Sequence, residues 1–381
     1  MRYPVLVSLL LAATACSPSG DTGAPNDATV PLETPARPRV AGTPVASPAP
    51  SATTPATPAV DSHARPKPGD VKVFGAWAVA CDNGAACTAL SMAPDDVTQT
   101  EAGVTIARAP GPDAPVTITI GTPFAAFKRI ALAVDGRTLA TGHPDASRSF
   151  TVTGPVAMTL ARALATGTAA VARLDDRTVP LVITGAAAAL RYADAQQGRA
   201  GTPGALVATG TTPAAITPPT LPTIVAAPLA DRRAQPPAAP LLAQMRQRTR
   251  CAADEFGPVT NETIALDATT DLVLLSCGSG AYNVIAKPML VRAGRASVAP
   301  FDLSPEFGEP GAGPSIVNGG YDAKTGLLST YAKGRGIGDC GVAQDYAWDG
   351  TRFRLAEMRT MGECRGALGW PTVWRAAVAR R

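Results

Sequence analysis

The seven cysteines of this 381-residue chain constrain its folding more than any other feature. One of them marks the chain for export, and export places the other six where disulfides form. Residues 1–16 read MRYPVLVSLLLAATAC, with Arg2 as a positive start, an apolar run over 4–12, and small residues Ala13, Thr14 and Ala15 before Cys16. A membrane span needs about 20 apolar residues, so this shorter run has the layout of a secretory signal, here ending in a lipoprotein cleavage site. The mature chain is expected to begin at Cys16, lipidated on its sulfur and its N-terminus. Ser17 follows where Asp would favour retention, which by the sorting rule of enterobacteria points to the outer membrane rather than the inner. The expected address is the periplasm, with the chain anchored to the outer membrane through that lipid.

In an oxidising compartment an even number of cysteines argues for a disulfide framework. Six cysteines allow fifteen connectivities, and sequence order favours one. Cys81 and Cys87 bracket the tight turn in CDNGAAC, Cys251 and Cys277 flank a strand–turn–strand, and Cys340 and Cys364 flank a hairpin. Loops of about 7, 27 and 25 residues would contribute roughly 2.4, 3.6 and 3.5 kcal/mol through chain entropy. The rival is a metal site, but C-x5-C is not the C-x2-C of zinc sites and histidine partners are missing. We therefore expect three disulfides, no metal and no cofactor.

Residues 17–70 are dominated by Pro, Ala, Thr, Ser and Gly. Such a stretch buries too little apolar surface to offset its conformational entropy, so a disordered tether is expected, spanning roughly 40 Å as a coil. Beyond it the pattern predicts an α+β fold, mostly antiparallel β. Residues 71–200 read as a β-rich domain with two helices. Its strand pairs are 72–92 around Asp82-Asn83-Gly84, 103–108 with 115–120, 129–134 turning at Asp135-Gly136, and a hairpin turning at Asp175-Asp176. VAMTLARALATG (156–167) changes the period to that of a helix, with Met158, Leu160, Ala161 and Leu164 on one face, and GAAAALRYADAQQ (185–197) follows, capped by Thr184. Residues 201–240 read as a Pro-rich linker or crossing loop. Residues 241–381 read as an antiparallel meander of hairpins led by a helix over 241–255, with YNVIAK and PMLVRA as separate strands.

FGAWAVACDNGAACTA (74–89), ALRYADAQQGRAGTPGALVATG (189–210), GAYN (280–283), KGRGIGDCG (333–341), WDGTRFRLAEM (348–358) and CRG (364–366) together resemble the bacterial family known as domain of unknown function 1176. The resemblance spans residues 72–376. The first half is also similar to the invasion-associated locus B family, through W-x-V-x-C-D, the helix before the Asp175-Asp176 hairpin and the closing helix after Val182; the further mid-domain cysteines usual in that family are missing. The main resemblance implies an exported protein of Gram-negative bacteria and supplies no catalytic residues.

The chemistry the sequence excludes is as informative as what it offers. The chain has 2 histidines, His63 in the tether and His143 in a Gly-Pro-flanked loop, so no Ser-His or Cys-His pair forms within the second half. The net charge of +4 is spread without basic runs, which gives no nucleic-acid signature. KGRGIGDCG lacks the form of a nucleotide phosphate loop. Its glycines let the backbone approach a ligand, and a Cys340–Cys364 bridge would gather Arg335, Asp339 and Arg365 as a candidate ligand-binding group for an anion or peptide. The bland alternative is a wide hairpin connection in which Asp339 bonds its own backbone or Arg335. Carboxylates at Asp302, Glu306, Glu309, Asp322, Asp339, Asp345, Glu357 and Glu363 show no spacing that picks out an acid–base pair. Trp77 and Trp348 read as core, Trp370 and Trp374 as a clamp, and Gln196, Gln197 and Arg199 as a polar helix end. The expectation is a tethered, non-catalytic module binding an envelope protein or polymer. The alternatives are a carboxylate-dependent hydrolase of an envelope polymer and a structural lipoprotein.

Overall fold

Period-two alternation governs the first half. Val116–Gly121 (VTITIG) buries every second residue, and its neighbours follow suit. The computed structural model describes residue 61 and residues 64–380, except 96, 98, 124–125, 252–259, 306 and 308–312. Cys16, His63, Glu306, Glu309 and residues 17–60 of the expected tether lie outside the described residues.

The first half runs β1 (Lys72–Phe74), β2 (Trp77–Cys81), β3 (Cys87–Ser91), β4 (Gly103–Arg108), β5 (Val116–Gly121), β6 (Ile130–Val134), β7 (Arg137–Gly142), β8 (Ser149–Thr153), α1 (Gly154–Thr166), β9 (Ala170–Leu174), β10 (Arg177–Leu181) and α2 (Ala186–Gln196). Antiparallel pairing gives a six-stranded sheet β1-β2-β3-β4-β5-β8 and a four-stranded sheet β10-β9-β6-β7. Helix α1 carries Pro155 in its first turn, where the missing N–H costs nothing, and turns Ala157, Leu160, Ala161 and Leu164 into the core. Met158, expected on that face, is only partly buried. Trp77 is completely buried and donates its indole N–H to the Val182 carbonyl at 2.9 Å.

Thr184 does not cap α2. The N-cap is Gly185 at φ +100°, and a Cβ there would lie 1.7 Å from the Phe74 carbonyl oxygen. Glycine is needed because backbone meets backbone at this point, while the Thr184 carbonyl accepts from Ala76 N–H.

The second half runs β11 (Thr223–Ala226), α3 (Ala239–Thr249), β12 (Glu262–Ala265), β13 (Thr270–Ser279), β14 (Val284–Arg292), β15 (Arg295–Val298), β16 (Ile316–Val317), β17 (Gly320–Asp322), β18 (Leu327–Lys333), β19 (Gly341–Trp348), β20 (Phe353–Met361), β21 (Thr372–Arg375) and β22 (Ala377–Arg380). One sheet is β12-β13-β14-β15 with β16 added on β14, and another is β17-β18-β19-β20-β21. Helix α3 ends earlier than the sequence pattern suggests, at Arg250 in the left-handed region. YNVIAK and PMLVRA form one strand rather than two. Pro288 is tolerated inside β14 because it falls between the stretch paired with β16 (285–286) and the stretch paired with β15 (289–292). The crossing segment contributes β11, which pairs in parallel with β22 near the C-terminus.

The result is α+β with mostly antiparallel strands. The cysteines pair in sequence order, with Cα–Cα distances of 4.0 Å for Cys81–Cys87, 4.9 Å for Cys251–Cys277 and 4.8 Å for Cys340–Cys364.

Candidate functional site

The distinctive motifs converge on the seam between the two halves. The Cys340–Cys364 bridge joins the start of β19 to the loop after β20, and packs with Met361 and Ala367 against Ala78, Leu90 and Met92 of the first half. The 334–340 loop enters β19 through Gly341 at φ +141°, where a Cβ would sit 2.0 Å from the Ala332 carbonyl oxygen. The loop turns back this tightly only with glycine.

Asp339 is the polar centre of the seam. It is 4% exposed and accepts from Arg335 Nε at 2.8 Å, Arg335 Nη2 at 2.6 Å and Gly366 N–H at 2.6 Å. Burial raises the carboxyl's pKa, but the Arg335 guanidinium and the Gly366 N–H outweigh it and hold the group below its ordinary value. Arg365 points the other way. It donates to the Ala93 carbonyl at 2.7 and 3.0 Å and the Gly75 carbonyl at 3.1 Å, and pairs with Asp95 at 2.9 Å. Thr100 Oγ1 donates to the Gly366 carbonyl at 3.2 Å. Of the three residues singled out as a ligand group, Arg335 and Asp339 are brought together while the Arg365 side chain turns to the first half, and each meets a partner within the chain.

A second clamp explains CDNG. The Asp82 carboxylate takes the Arg375 guanidinium, and Asn83 pairs with the Arg375 backbone as a strand would, giving 2.9 Å and accepting 2.7 Å. Gly69 N–H donates to the Val373 carbonyl at 2.9 Å beside it.

Outside this mount lies an aromatic platform. Tyr331 stacks on Trp370 with centroids 4.5 Å apart and planes at 8°. Both exposed tyrosines turn their hydroxyls back to the glycine loop, Tyr331 to the Gly338 carbonyl at 3.3 Å and Tyr282 to the Gly334 carbonyl at 3.1 Å. Ile337, at the crest between them, is 52% exposed. Lys333 Nζ lies 6.0 Å from the Tyr282 ring centroid. Asn318 holds the two tyrosine segments together. Its Nδ2 donates to the Tyr282 carbonyl at 3.2 Å and the Tyr331 carbonyl at 3.1 Å, and its Oδ1 accepts from Val284 N–H at 2.8 Å. Sequence reading missed Asn318; the signal was an Asn ahead of Gly-Gly, a residue type that tolerates its φ of +44°. Trp370 packs on the seam cluster of Cys340, Met361 and Ala367 with one side of its ring. Its other side backs Tyr331, while Trp374 lies in β21 and donates to the Leu355 carbonyl at 3.1 Å.

On the same sheet Asp345 pairs in register with Glu357 across β19 and β20. Burial pushes the Glu357 carboxyl up; Asp345 adds to the rise and Arg359 opposes it. Asp345 accepts from Ser329 Oγ. A bulge between Asp345 and Tyr346 hides this pairing from a count of residues.

Gln196 and Gln197 do close α2, but Gln197 and Arg199 are buried rather than solvated. They are 5% and 0% exposed and collect carbonyls of the 108–112 loop: Gln197 Nε2 reaches Arg108 O at 2.9 Å, and Arg199 reaches Pro112 O at 3.1 Å and Gly111 O. Arg108 beside them is pushed down to about 10 by burial and by Arg199. His143 is a surface residue bonded to the Lys128 carbonyl at 2.8 Å. Among the described residues no group of three or more His, Cys, Asp or Glu is placed to hold a metal ion, and no helix is long and apolar enough to cross a membrane.

The model of a family described as protein of unknown function (DUF1176) matches residues 71–377. The uncharacterized protein YpfG of Escherichia coli (strain K12) is 31% identical over 338 residues, covering 80% of this chain and 92% of its own. The crystal structure of invasion associated protein b from Bartonella henselae aligns with a TM-score of 0.26 at 16% identity, over 34% of this chain and 98% of that one, which is too weak a likeness to carry an argument. The match across nearly all of the described residues is decisive: the chain belongs to the DUF1176 family of proteins of unknown function.

Proposed function

We propose that this protein is a non-catalytic binding module of the bacterial envelope, exported, lipidated at Cys16 and anchored to the outer membrane on its periplasmic side. The reading of residues 71–200 and 241–381 as two domains joined by 201–240 belongs to this proposal. One observation carries it. The motif residues are spent on building a rigid mount, and the mount presents an exposed platform of Tyr282, Tyr331 and Ile337, backed by the half-buried Trp370. Fixed side chains lose little entropy on binding, which is the advantage of preorganisation. Address and binding are tested separately. Cys16→Ser is expected to move the protein from the membrane to the soluble envelope fraction, and unchanged fractionation would refute the anchor. Envelope material captured by the oxidised chain is expected to be lost with Tyr331→Ala; capture indifferent to it would refute the platform.

A second reading has its own observation. Asp345 and Glu357 lie opposite each other across β19 and β20, and burial raises the Glu357 carboxyl as a general acid requires. A carboxylate hydrolase built on them would lose all turnover of an envelope polymer in Glu357→Gln while keeping its fold.

A further inference from the structure

We infer that the aromatic platform takes a glycan strand whose sugars carry carboxylates; this rests on the binding reading above and names its ligand class. The argument begins with shape. A protein–protein interface takes about 20–30 residues a side, whereas the exposed apolar side chains gathered here are Tyr282, Val284, Tyr331 and Ile337. The patch suits a slender ligand that it meets through a few rings.

Ring chemistry narrows the class. The hydroxyls of Tyr282 and Tyr331 are both turned to loop carbonyls, so these side chains are held in place and present aromatic surface outward. Trp370 backs Tyr331 and fixes its plane. A pyranose ring has one flat C–H face and a rim of hydroxyls. It matches a fixed aromatic surface bordered by hydrogen-bonding groups, and here the border is Lys333 and the backbone of the 334–338 loop.

Charge then selects among glycans. Asp339 is neutralised by Arg335, Glu357 by Arg359 at 3.0 Å, and Arg365 by Asp95. Lys333 joins no ion pair among the described residues and faces the Tyr282 ring instead. Lys333 is therefore the cation that borders the rings, and it complements a carboxylated sugar.

The test uses the full exported chain with its disulfides oxidised. Three probes are titrated while tryptophan fluorescence and calorimetry are read: hexagalacturonate, neutral chitohexaose and decaproline. Hexagalacturonate is expected to saturate at least about tenfold more tightly than chitohexaose and to weaken as salt rises. Lys333→Ala is expected to erase that preference, Tyr331→Ala to abolish binding of both sugars, and Tyr331→Phe to keep it. No saturation by either hexasaccharide up to about 10 mM would overturn the inference, as would binding unmoved by Tyr331→Ala. Preferential binding of decaproline would overturn it in favour of a peptide ligand. Envelope capture is scored in parallel. Capture that needs Tyr331 without sugar binding defeats this inference and leaves the binding module standing, and loss of both defeats the two together.

Discussion

Replacing Asp339 by Asn probes the seam most sharply. The native carboxylate is buried, receives both Arg335 nitrogens and the Gly366 N–H, and joins the glycine loop to the segment that holds the first half. Hydrogen bonds to a charged group each contribute about 1.5–3 kcal/mol, and breaking a buried ion pair costs about 3–5 kcal/mol. Arg335 keeps 32% of its side chain exposed and regains water when released, so the lower end applies. We expect about 2–3 kcal/mol lost in urea unfolding for Asp339→Asn. Arg335→Ala is expected to cost less, with a positive coupling between the two in a double-mutant cycle.

Acid gives an independent check. The Asp339 carboxyl is held below its ordinary value in the fold, so its contribution is complete above the unfolded pKa of about 3.9 and is lost as pH falls through the lower, folded value. Wild type is thus expected to lose this stability on acidification below about pH 4, and Asp339→Asn to show that part of the loss at neutral pH already. A cost under about 0.5 kcal/mol for Asp339→Asn, or the same acid profile in both proteins, would refute the reasoning.

Further expectations follow from other parts of the frame. Cys340→Ser with Cys364→Ser opens a loop of about 25 residues and is expected to cost about 3 kcal/mol in thermal unfolding, with hydrogen exchange rising first at the 334–340 loop. Arg199→Met is expected to destabilise by about 1–3 kcal/mol, because the partly buried Gly111 and Pro112 carbonyls lose the donor that the fully buried Arg199 supplies; denaturant midpoints measure it. Arg375→Ala is expected to cost about 1–2 kcal/mol and to raise exchange in the 82–86 turn, since the guanidinium is partly exposed while Asp82 is buried.

Much of the frame was legible because its signals are local. VTITI alternates, Asp-Gly and Asn-Gly mark turns, and cysteines close in sequence lie at hairpin ends, so strands, helices and bridges could be read without tertiary knowledge. What escaped depends on long-range partners. Asn83 meets Arg375 across 292 positions, and Arg365 meets Ala93 across 272. No window of sequence contains both members. The glycine loop looked like a ligand cradle because its residues suit anions, yet Asp339 and Gly366 complete each other inside the chain. Gln197 and Arg199 read only as a polar helix end for a similar reason. Their carbonyl partners come from a loop some 90 residues earlier.

The central claim is that the seam exists to hold a binding platform outward. It is tested most directly by capturing envelope material on the oxidised full chain and on two variants, Ile337→Asp at the crest and Val156→Asp on α1, where Val156 is comparably exposed at 46%. The account predicts one component enriched by wild type and by Val156→Asp and lost with Ile337→Asp. Equal capture by all three, or none by any, would contradict it.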